Sequence, residues 1–186
     1  LIAPPNMPDP RFRKTVVYIW RHDVSGAAGV VINKKCQQPD FKHICNEGTI
    51  HRLPKVNHPV YYGGPVLTNV VGVLHSTDYV LHSTNTLTQD KVGFTLDRQM
   101  LEAIAKGQGP KNKLITLGMA NWTTGQLEEE LEHPRNPAMS WLIMDYDEKF
   151  VFGQLDDDKS DDLWERCVSQ AIRRKTKEIT SKVFKD

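Results

Sequence analysis

Cysteine, net charge and long apolar runs are all scarce in this sequence, and each absence excludes a class of protein. Only Cys36, Cys45 and Cys167 occur, and an odd, unevenly spaced set does not build a disulfide framework. Lysine and arginine number 24 against 23 acidic residues, so no global positive field attracts nucleic acid or anionic lipid. No stretch approaches the roughly 20 apolar residues of a membrane span, and no secretion signal is recognisable. We therefore expect a cytoplasmic protein with reduced thiols.

The remaining composition is that of an ordinary folded protein. The 186 residues include 39% hydrophobic and 25% charged side chains, which predicts one globular domain. Four prolines in the opening stretch LIAPPNMPDPRF predict an extended lead-in that contains turns, because proline cannot continue a helix or a central strand.

Hydrophobic patterning predicts an α+β protein in which strands outnumber helices. β-branched and aromatic runs predict strands at 16–20, 27–32, 60–62, 70–74, 114–117, 140–144 and 150–154. Helical spacing and capping residues predict helices at 41–45, 97–105 and 126–133, the second capped by Asp97 and stopped by Gly107.

A C-terminal amphipathic helix is predicted from Ser160 or Asp161 onward. Apolar residues recur in it at roughly helical spacing, namely Trp164, Val168, Ile172, Ile179 and Val183. We expect the first three to dock the helix onto the rest of the domain. Its acids precede its bases, an order that complements the helix dipole.

Four stretches, in this order, resemble the AlgH/YqgE-like family. They are LIAPPNMPDPRFRKTVVYIWRHD at the start, GAAGVVINK from Gly26, YYGGPV from Tyr61 and LGMANWTTGQLEEEL from Leu117. Further support comes from VLHSTDY at 73–79, GQGPKNKL at 107–114 and SWL at 140–142. The resemblance covers residues 1–155, so we divide the chain into an AlgH/YqgE-like domain at 1–155 and a C-terminal helix at 156–186 packed on the same domain.

The resemblance implies a small antiparallel or mixed β-barrel-like core surrounded by helices. Some members of the family are described as transcriptional regulators, which implies a regulatory role. The chain also departs from the family pattern. Arg21 and Ala28 replace the glutamate and methionine usual at those positions, and the last helix has an atypically basic end. These departures indicate a divergent member.

Several groups of chemically active residue types do not have the spacing of a known site. The glycines of GAAGVVINK and YYGGPV lack the spacing of a phosphate-binding loop, so we interpret them as turn residues. Cys36, His43, Cys45 and His51 contain no paired metal-binding motif, and we expect neither metal nor cofactor there. His75, Ser76, Asp78, His82 and Ser83 supply catalytic residue types without a nucleophile elbow, so we expect no catalytic residues and no enzyme.

The most specific text in the chain is GMANWTTGQLEEE, and it suggests a recognition surface. Trp122 is interpreted as a core anchor whose indole nitrogen bonds a backbone carbonyl, with exposed recognition as the alternative. Gln126 is predicted to be exposed, because Glu128 to Glu130 should form a solvated helix face. The candidate protein-binding surface consists of Gly63, Gly64, Pro65, Gly118, Asn121, Trp122, Gly125 and Gln126.

Three functions follow from this surface and the last helix. The leading hypothesis is a non-enzymatic regulatory or adaptor protein that binds an unknown protein partner. The first alternative is direct DNA binding through Arg173, Arg174, Lys175 and Lys177, which the upstream acids weaken. The second is a small-ligand binder or enzyme that uses the same motif surface, with His22, Asn33 and His75 as the polar residues to examine.

Overall fold

The computed structural model describes residues 1–46, 50, 53–86, 91–132, 140–153 and 162–183, with the backbone alone at 175 and 178–183. Its strands are β1 (Val17–Asp23), β2 (Gly26–Val31), β3 (Val60–Tyr62), β4 (Val66–Ser76), β5 (Asn85–Thr86), β6 (Val92–Thr95) and β7 (Lys113–Thr123). Its helices are α1 (Phe41–Ile44), α2 (Arg98–Ala105), α3 (Gln126–Glu132), α4 (Glu148–Val151) and α5 (Leu163–Val183). No helix in these ranges is both long and apolar enough to cross a bilayer.

The seven strands form one nearly closed sheet. Its order is β1-β2-β7-β4-β6-β5, and β3 pairs with β7 in parallel while the other pairings are antiparallel. The first and last strands of this order, β1 and β5, come into contact. Together with the five helices this gives the α+β, β-barrel-like fold that the sequence predicted.

Much of the curved sheet is buried on both faces. Its strands therefore contain continuous apolar runs as well as segments in which apolar and polar residues alternate. The interior holds one cluster, which includes Trp20, Tyr61, Leu74, Phe94 and Leu114. Trp20 stacks on Phe94 with ring centroids 4.5 Å apart. Trp20 also lies at a register shift between β1 and β2, and such a bulge increases the local twist that curves a sheet.

Two further clusters cover opposite parts of the outer surface. In the first cluster α1 and α2 pack against the sheet. They contribute Phe41, Ile44, Met100, Leu101 and Ile104. The second cluster lies beneath the opening segment and α3. These contribute Ala3, Met7 and Leu127, and Trp141 from the residues after α3 completes the cluster. Asp40 and Asp97 accept hydrogen bonds from backbone amides at the starts of α1 and α2, as N-cap residues do. The predicted cap at Asp97 and the end of α2 at Ala105 are confirmed, while α1 begins at Phe41 as predicted and ends at Ile44, one residue before the predicted end.

The last helix contacts the interior cluster through a stripe different from the predicted one. Leu163, Trp164, Cys167 and Ala171 are buried, and Val168 is partly buried against them. Ile172 is 53% exposed, so its predicted docking is wrong. Helical spacing allows a stripe through 164, 167, 168 and 171 as readily as one through 164, 168 and 172. The predicted start at Ser160 or Asp161, and the side chains of Ile179 and Val183, lie outside the described residues.

Two predicted strands near the C-terminus are also wrong. Residues 140–144 contribute only one bridge, between Leu142 and Ile2. Phe150 and Val151 belong to α4, at whose start the Asp147 side chain accepts a hydrogen bond from the Lys149 amide, and 152–153 form a turn. Such a cap favours a helical turn whatever the β propensity of the residues that follow. Gln154, the last residue of the predicted strand, lies outside the described residues. The short strands β5 and β6 were not predicted.

Three glycines allow backbone segments to approach where β3 and β4 meet β7. A Cβ atom on Gly63 would lie 2.2 Å from the Gly118 carbonyl oxygen, and one on Gly64 would lie 2.3 Å from the Met119 carbonyl carbon. Gly64 and Gly118 also have positive φ angles of +148° and +76°. All three glycines are buried. These glycines allow β3 and β4 to approach β7 closely. The sequence predicted only a turn role for Gly63 and Gly64.

Gly64→Ala should lower the free energy of unfolding by more than about 3 kcal/mol, because the new methyl group meets immovable backbone in a left-handed conformation. Gly125→Ala is the matched control. Gly125 also has a positive φ, +73°, but nothing lies within 4 Å of its Cβ position, so the cost should be about 1 kcal/mol. Denaturant unfolding of both variants measures the difference, and equal losses would contradict the close-approach explanation.

Candidate functional site

A cavity of about 300 Å³ collects part of the predicted motif surface. Pro65, Asn121, Trp122 and Gln126 line it, together with residues that the sequence did not bring forward: Met7, Asp9, Arg11, Phe12, Val66, Glu130 and Trp141. We call this the motif cavity. Its walls come from five parts of the chain: the opening segment, the start of β4, the end of β7, α3 and Trp141 after α3.

Glu130 is the central polar group of this site. Its Oε2 accepts hydrogen bonds from the indole Nε1 of Trp122 at 3.0 Å and from that of Trp141 at 2.8 Å. Its Oε1 accepts one from Nε2 of Gln126 at 3.0 Å. The rings of Trp122 and Trp141 meet edge to face, with centroids 6.1 Å apart. One carboxylate therefore fixes three side chains that line the motif cavity.

This arrangement corrects three interpretations from the sequence. Trp122 is a buried core residue, as the leading interpretation had it, but its indole bonds a carboxylate instead of a backbone carbonyl. Gln126 is partly buried, and its Oε1 accepts hydrogen bonds from the amide and hydroxyl of Thr123. Glu130 belongs to this internal network instead of a solvated acidic face. A carboxylate needs donors when it leaves water, and α3 carries Glu130 to the two indoles.

The opening segment supplies the rim of the motif cavity. Asp9 accepts hydrogen bonds from Nε of Arg11 at 3.0 Å and from Nη2 at 2.7 Å. The Arg11 guanidinium lowers the pKa of the Asp9 carboxyl through these bonds. Phe12 packs edge to face on Trp141, with centroids 5.6 Å apart. The proline-rich residues thus lie against the site as a fixed wall.

The eight residues of the predicted surface do not form one exposed patch. Gly63, Gly64 and Gly118 are buried by backbone contacts. Asn121 and Gly125 are exposed. The three buried glycines therefore support the surface from beneath, while Pro65, Asn121 and Gln126 reach it.

The polar residues His75, Asn33 and His22 are not brought together. Asn33 is buried, where it accepts a hydrogen bond from the Val16 amide and donates one to the Lys14 carbonyl. His22 is an exposed residue of β1 whose Nε2 lies 2.6 Å from Oε1 of Glu128. His75 is fully buried on β4.

His75 belongs to a closed chain of hydrogen bonds. Its Nδ1 donates to the Ser76 carbonyl at 2.9 Å, which leaves Nε2 to accept from the Thr95 hydroxyl at 2.9 Å. The Thr84 hydroxyl then donates to Thr95 and accepts from the Leu81 amide. Every group is satisfied when the imidazole is neutral. Burial accordingly lowers the pKa of His75 below its usual value of 6.5.

The catalytic residue types around His75 do not form a triad. Ser76 donates to Asp78, and Ser83 donates to Asp97 at 2.9 Å. Neither hydroxyl bonds a histidine. Asp78 also accepts from the Lys111 amide, and Ser76 from the Asn112 amide, so the stretches VLHSTDY and GQGPKNKL are joined as a structural unit.

The described candidate metal ligands Cys36, His43 and Cys45 do not form a metal site. His43 Nδ1 lies 2.5 Å from Oδ1 of Asp40 at the start of α1. Cys45 is buried, and burial raises the pKa of its thiol. Cys36 is half-buried, with its pKa raised for the same reason, and His51 lies outside the described residues. Within the described ranges no three histidine, cysteine or acidic side chains are grouped as metal ligands would be.

Sequence reasoning missed Glu130, Trp141, Asp9 and Arg11 as members of the site. One signal was available. Gln126 and Glu130 are four residues apart on one helix, so their side chains lie on the same face. Nothing in the spacing of Asp9, Arg11 or Trp141 placed them beside Trp122, because those contacts join separate parts of the chain.

Comparison with known proteins gives a consistent result. A family model described as AlgH-like matches residues 1–174, which extends beyond the motif stretches into α5. A UPF0301 protein of Bradyrhizobium sp. is 37% identical over 169 residues, which cover 87% of this chain and 76% of that protein. A UPF0301 protein of Cereibacter sphaeroides is 40% identical over 159 residues, which cover 85% of this chain and 83% of that protein.

Two solved structures are similar to the fold. The solution structure of the AlgH protein from Pseudomonas aeruginosa is 33% identical, with a TM-score of 0.63 over 81% of this chain and 77% of that one. The crystal structure of protein DIP2367 from Corynebacterium diphtheriae is 20% identical, with a TM-score of 0.53 over 72% of this chain and 70% of that one. The second likeness concerns the fold alone.

Glu130→Ala should lower the free energy of unfolding by about 2 to 4 kcal/mol, because it leaves two buried indole N–H groups without an acceptor. Glu132→Ala removes an exposed carboxylate from the same helix and should change stability by less than about 0.5 kcal/mol. Denaturant unfolding compares the two variants. Equal stability of both would show that Glu130 does not hold the tryptophan pair.

Stability should fall as the pH drops below about 6.5, because the unfolded chain then protonates His75 while the folded protein, with its lowered pKa, does not. Partly buried His58, whose pKa is also lowered by desolvation, acts in the same direction. His75→Gln should therefore reduce the loss between pH 7 and pH 5 without abolishing it. An imidazole resonance of folded His75 that titrates near pH 6.5 would contradict this account.

Proposed function

Because this chain belongs to the AlgH-like family, we propose that it is a non-enzymatic regulatory or adaptor protein that acts by binding another protein. The binding surface is the mouth of the motif cavity together with Leu67 beside it. The observation that carries the proposal is the conformation of Leu67, which is a strained and exposed apolar residue next to the motif residues.

Leu67 lies at an irregularity in the sheet. Val66 pairs with Met119 and Val71 with Leu117, so four residues of β4 stand opposite the single residue Gly118 of β7. In this bulge Leu67 has a φ angle of +51°. A left-handed conformation costs a residue with a side chain on the order of 1 to 3 kcal/mol. Strain of this kind tends to occur at functional positions.

The Leu67 side chain gains little from its own fold. It is 53% exposed, and exposed Thr68 and Asn69 follow it. Its neighbours on the other side, Pro65 and Val66, line the motif cavity. In protein interfaces a few residues supply most of the binding energy, and we assign that role to Leu67 beside the motif cavity.

The size and chemistry of the cavity favour a partner's side chain as its occupant. A volume of about 300 Å³ is at the lower limit for small-molecule sites. The polar side chains Gln126 and Glu130 are already engaged with one another and with the indoles. His75, the buried candidate for acid–base chemistry, is also fully hydrogen-bonded. These features support recognition over catalysis.

A small ligand is the second candidate, and one observation favours it. Asn121, Arg11 and Asp9 present polar groups to the same cavity, as convergent polar groups do in ligand sites. Thermal unfolding in the presence of a metabolite library tests this reading. A shift of the melting temperature that Asn121→Leu removes and Leu67→Asn retains would favour the ligand over a protein partner.

Leu67→Asn should separate binding from folding. Asparagine tolerates the left-handed conformation better than leucine, so stability should stay equal or rise by about 1 kcal/mol, while recovery of a specific partner from native lysate should fall. Val80→Asn is the control, because Val80 is also 53% exposed but is not a lining residue of the motif cavity. Quantitative mass spectrometry of both pulldowns gives the readout. Equal recovery by the two variants would reject the proposed surface.

A further inference from the structure

An open groove of about 750 Å³ lies along α5, away from the motif cavity. Its charged lining side chains are Asp162, Glu165, Arg166, Arg173, Arg174 and Lys177, four bases and two acids. In the sequence, the acids and bases of this C-terminal segment cancel. Their pairing in the structure determines whether any charge remains available.

Three acids around the groove, among the residues that the structure describes, are each paired with a particular base. Glu165 bonds Lys14 of the opening segment at 3.2 Å, and Asp162 lies 3.6 Å from Arg166. Asp145, in the loop before α4, pairs with Arg174. Lys14 lies outside the groove lining, so one acid is neutralised from elsewhere.

Arg173 and Lys177 are the two basic lining residues that take no part in these ion pairs. Neither forms an ion pair with any residue in the described ranges, and both are exposed. They are four residues apart, so they lie about one turn, or roughly 6 Å, apart on the same side of the helix. Arg166 lies seven residues before Arg173 on that side, where its guanidinium also sits 5.3 Å from the Phe150 ring centroid. The groove thus carries a row of cations with net positive charge.

This part of α5 also extends beyond the core. Ala171 is the last buried residue among the side chains that the structure describes on α5, and the described residues after it are all exposed, namely Ile172, Arg173, Arg174, Thr176 and Lys177. The backbone continues as helix to Val183. A helix with its side chains is about 10 to 12 Å across, close to the roughly 12 Å width of the major groove of DNA.

We propose that this row of bases binds the phosphate backbone of double-stranded DNA. The contact goes beyond the proposed protein binding and does not depend on it, because no residue is shared between the two surfaces. Phosphate contacts carry no sequence information by themselves, so the binding is largely independent of DNA sequence and strongly dependent on salt.

The test is fluorescence anisotropy with a labelled duplex of random sequence, between 50 and 200 mM salt. Wild-type protein should bind, and the logarithm of its affinity should fall linearly with the logarithm of the salt concentration. The double variant R173Q/K177Q loses two phosphate contacts, which should reduce the slope by about 1.8. The loss of affinity over that salt range should then be about tenfold smaller than for wild type. Both side chains are exposed, so the variant should fold normally, as circular dichroism will verify.

The double variant K91Q/K106Q is the control, because it removes the same charge from two exposed lysines outside the groove. It should retain the wild-type affinity and slope. Equal losses in both double variants would show that net charge alone acts, which overturns the groove as the site. The proposal is also overturned if wild-type protein does not bind duplex. It fails equally if single-stranded RNA or inorganic triphosphate binds through Arg173 and Lys177 while duplex does not.

Discussion

The structure depends on β7, which is paired on both edges and buried on both faces. β2 and β3 pair along one edge and β4 along the other. Side chains of β7 enter all three hydrophobic clusters, Leu114 in the interior, Ile115 beneath α1 and α2, and Trp122 beneath the opening segment. The close backbone contacts of Gly64 and Gly118 allow β4 to leave and rejoin this strand. Few other residues fit there, because a Cβ atom would overlap backbone that cannot move.

The end of β7 also determines where the motif cavity lies. β7 ends at Thr123, and its last buried residue, Trp122, lies beneath α3. The chain then turns so that Glu130 bonds the indole of Trp122 as well as that of Trp141. Because this carboxylate is partly removed from water, its three donors stabilise the arrangement and fix where the cavity lies. The strained Leu67 protrudes beside the same wall, on a bulge opposite Gly118. The supporting glycine Gly118 and the proposed binding residue Leu67 therefore occupy neighbouring positions on adjacent strands.

The proposed surfaces would give this AlgH-like protein two contacts of different chemistry. The surface around Leu67 is apolar, with its polar groups mostly engaged internally, so its energy would come from burial. The row on α5 is exposed and cationic, so its energy would come from counterion release and would weaken with salt. The two surfaces share no residue, and a protein with both could hold a partner on DNA, which is consistent with an adaptor.

The sequence by itself determined the family, the α+β class, the helix capped by Asp97 and a short helix that begins at Phe41, because these depend on local patterns along the chain. It also identified Trp122 as a core residue, since a large aromatic side chain is mostly buried in a folded domain. Tertiary structure alone decided that Gln126 and Glu130 form an internal network, that Phe150 and Val151 belong to a helical turn, and that Ala171 docks instead of Ile172. It likewise decided which acids neutralise which bases along α5. Those outcomes depend on contacts between residues that are separated in the sequence, such as Trp141 with Trp122 and Lys14 with Glu165. The periodicity of apolar residues along a sequence cannot specify which distant side chain will be the partner.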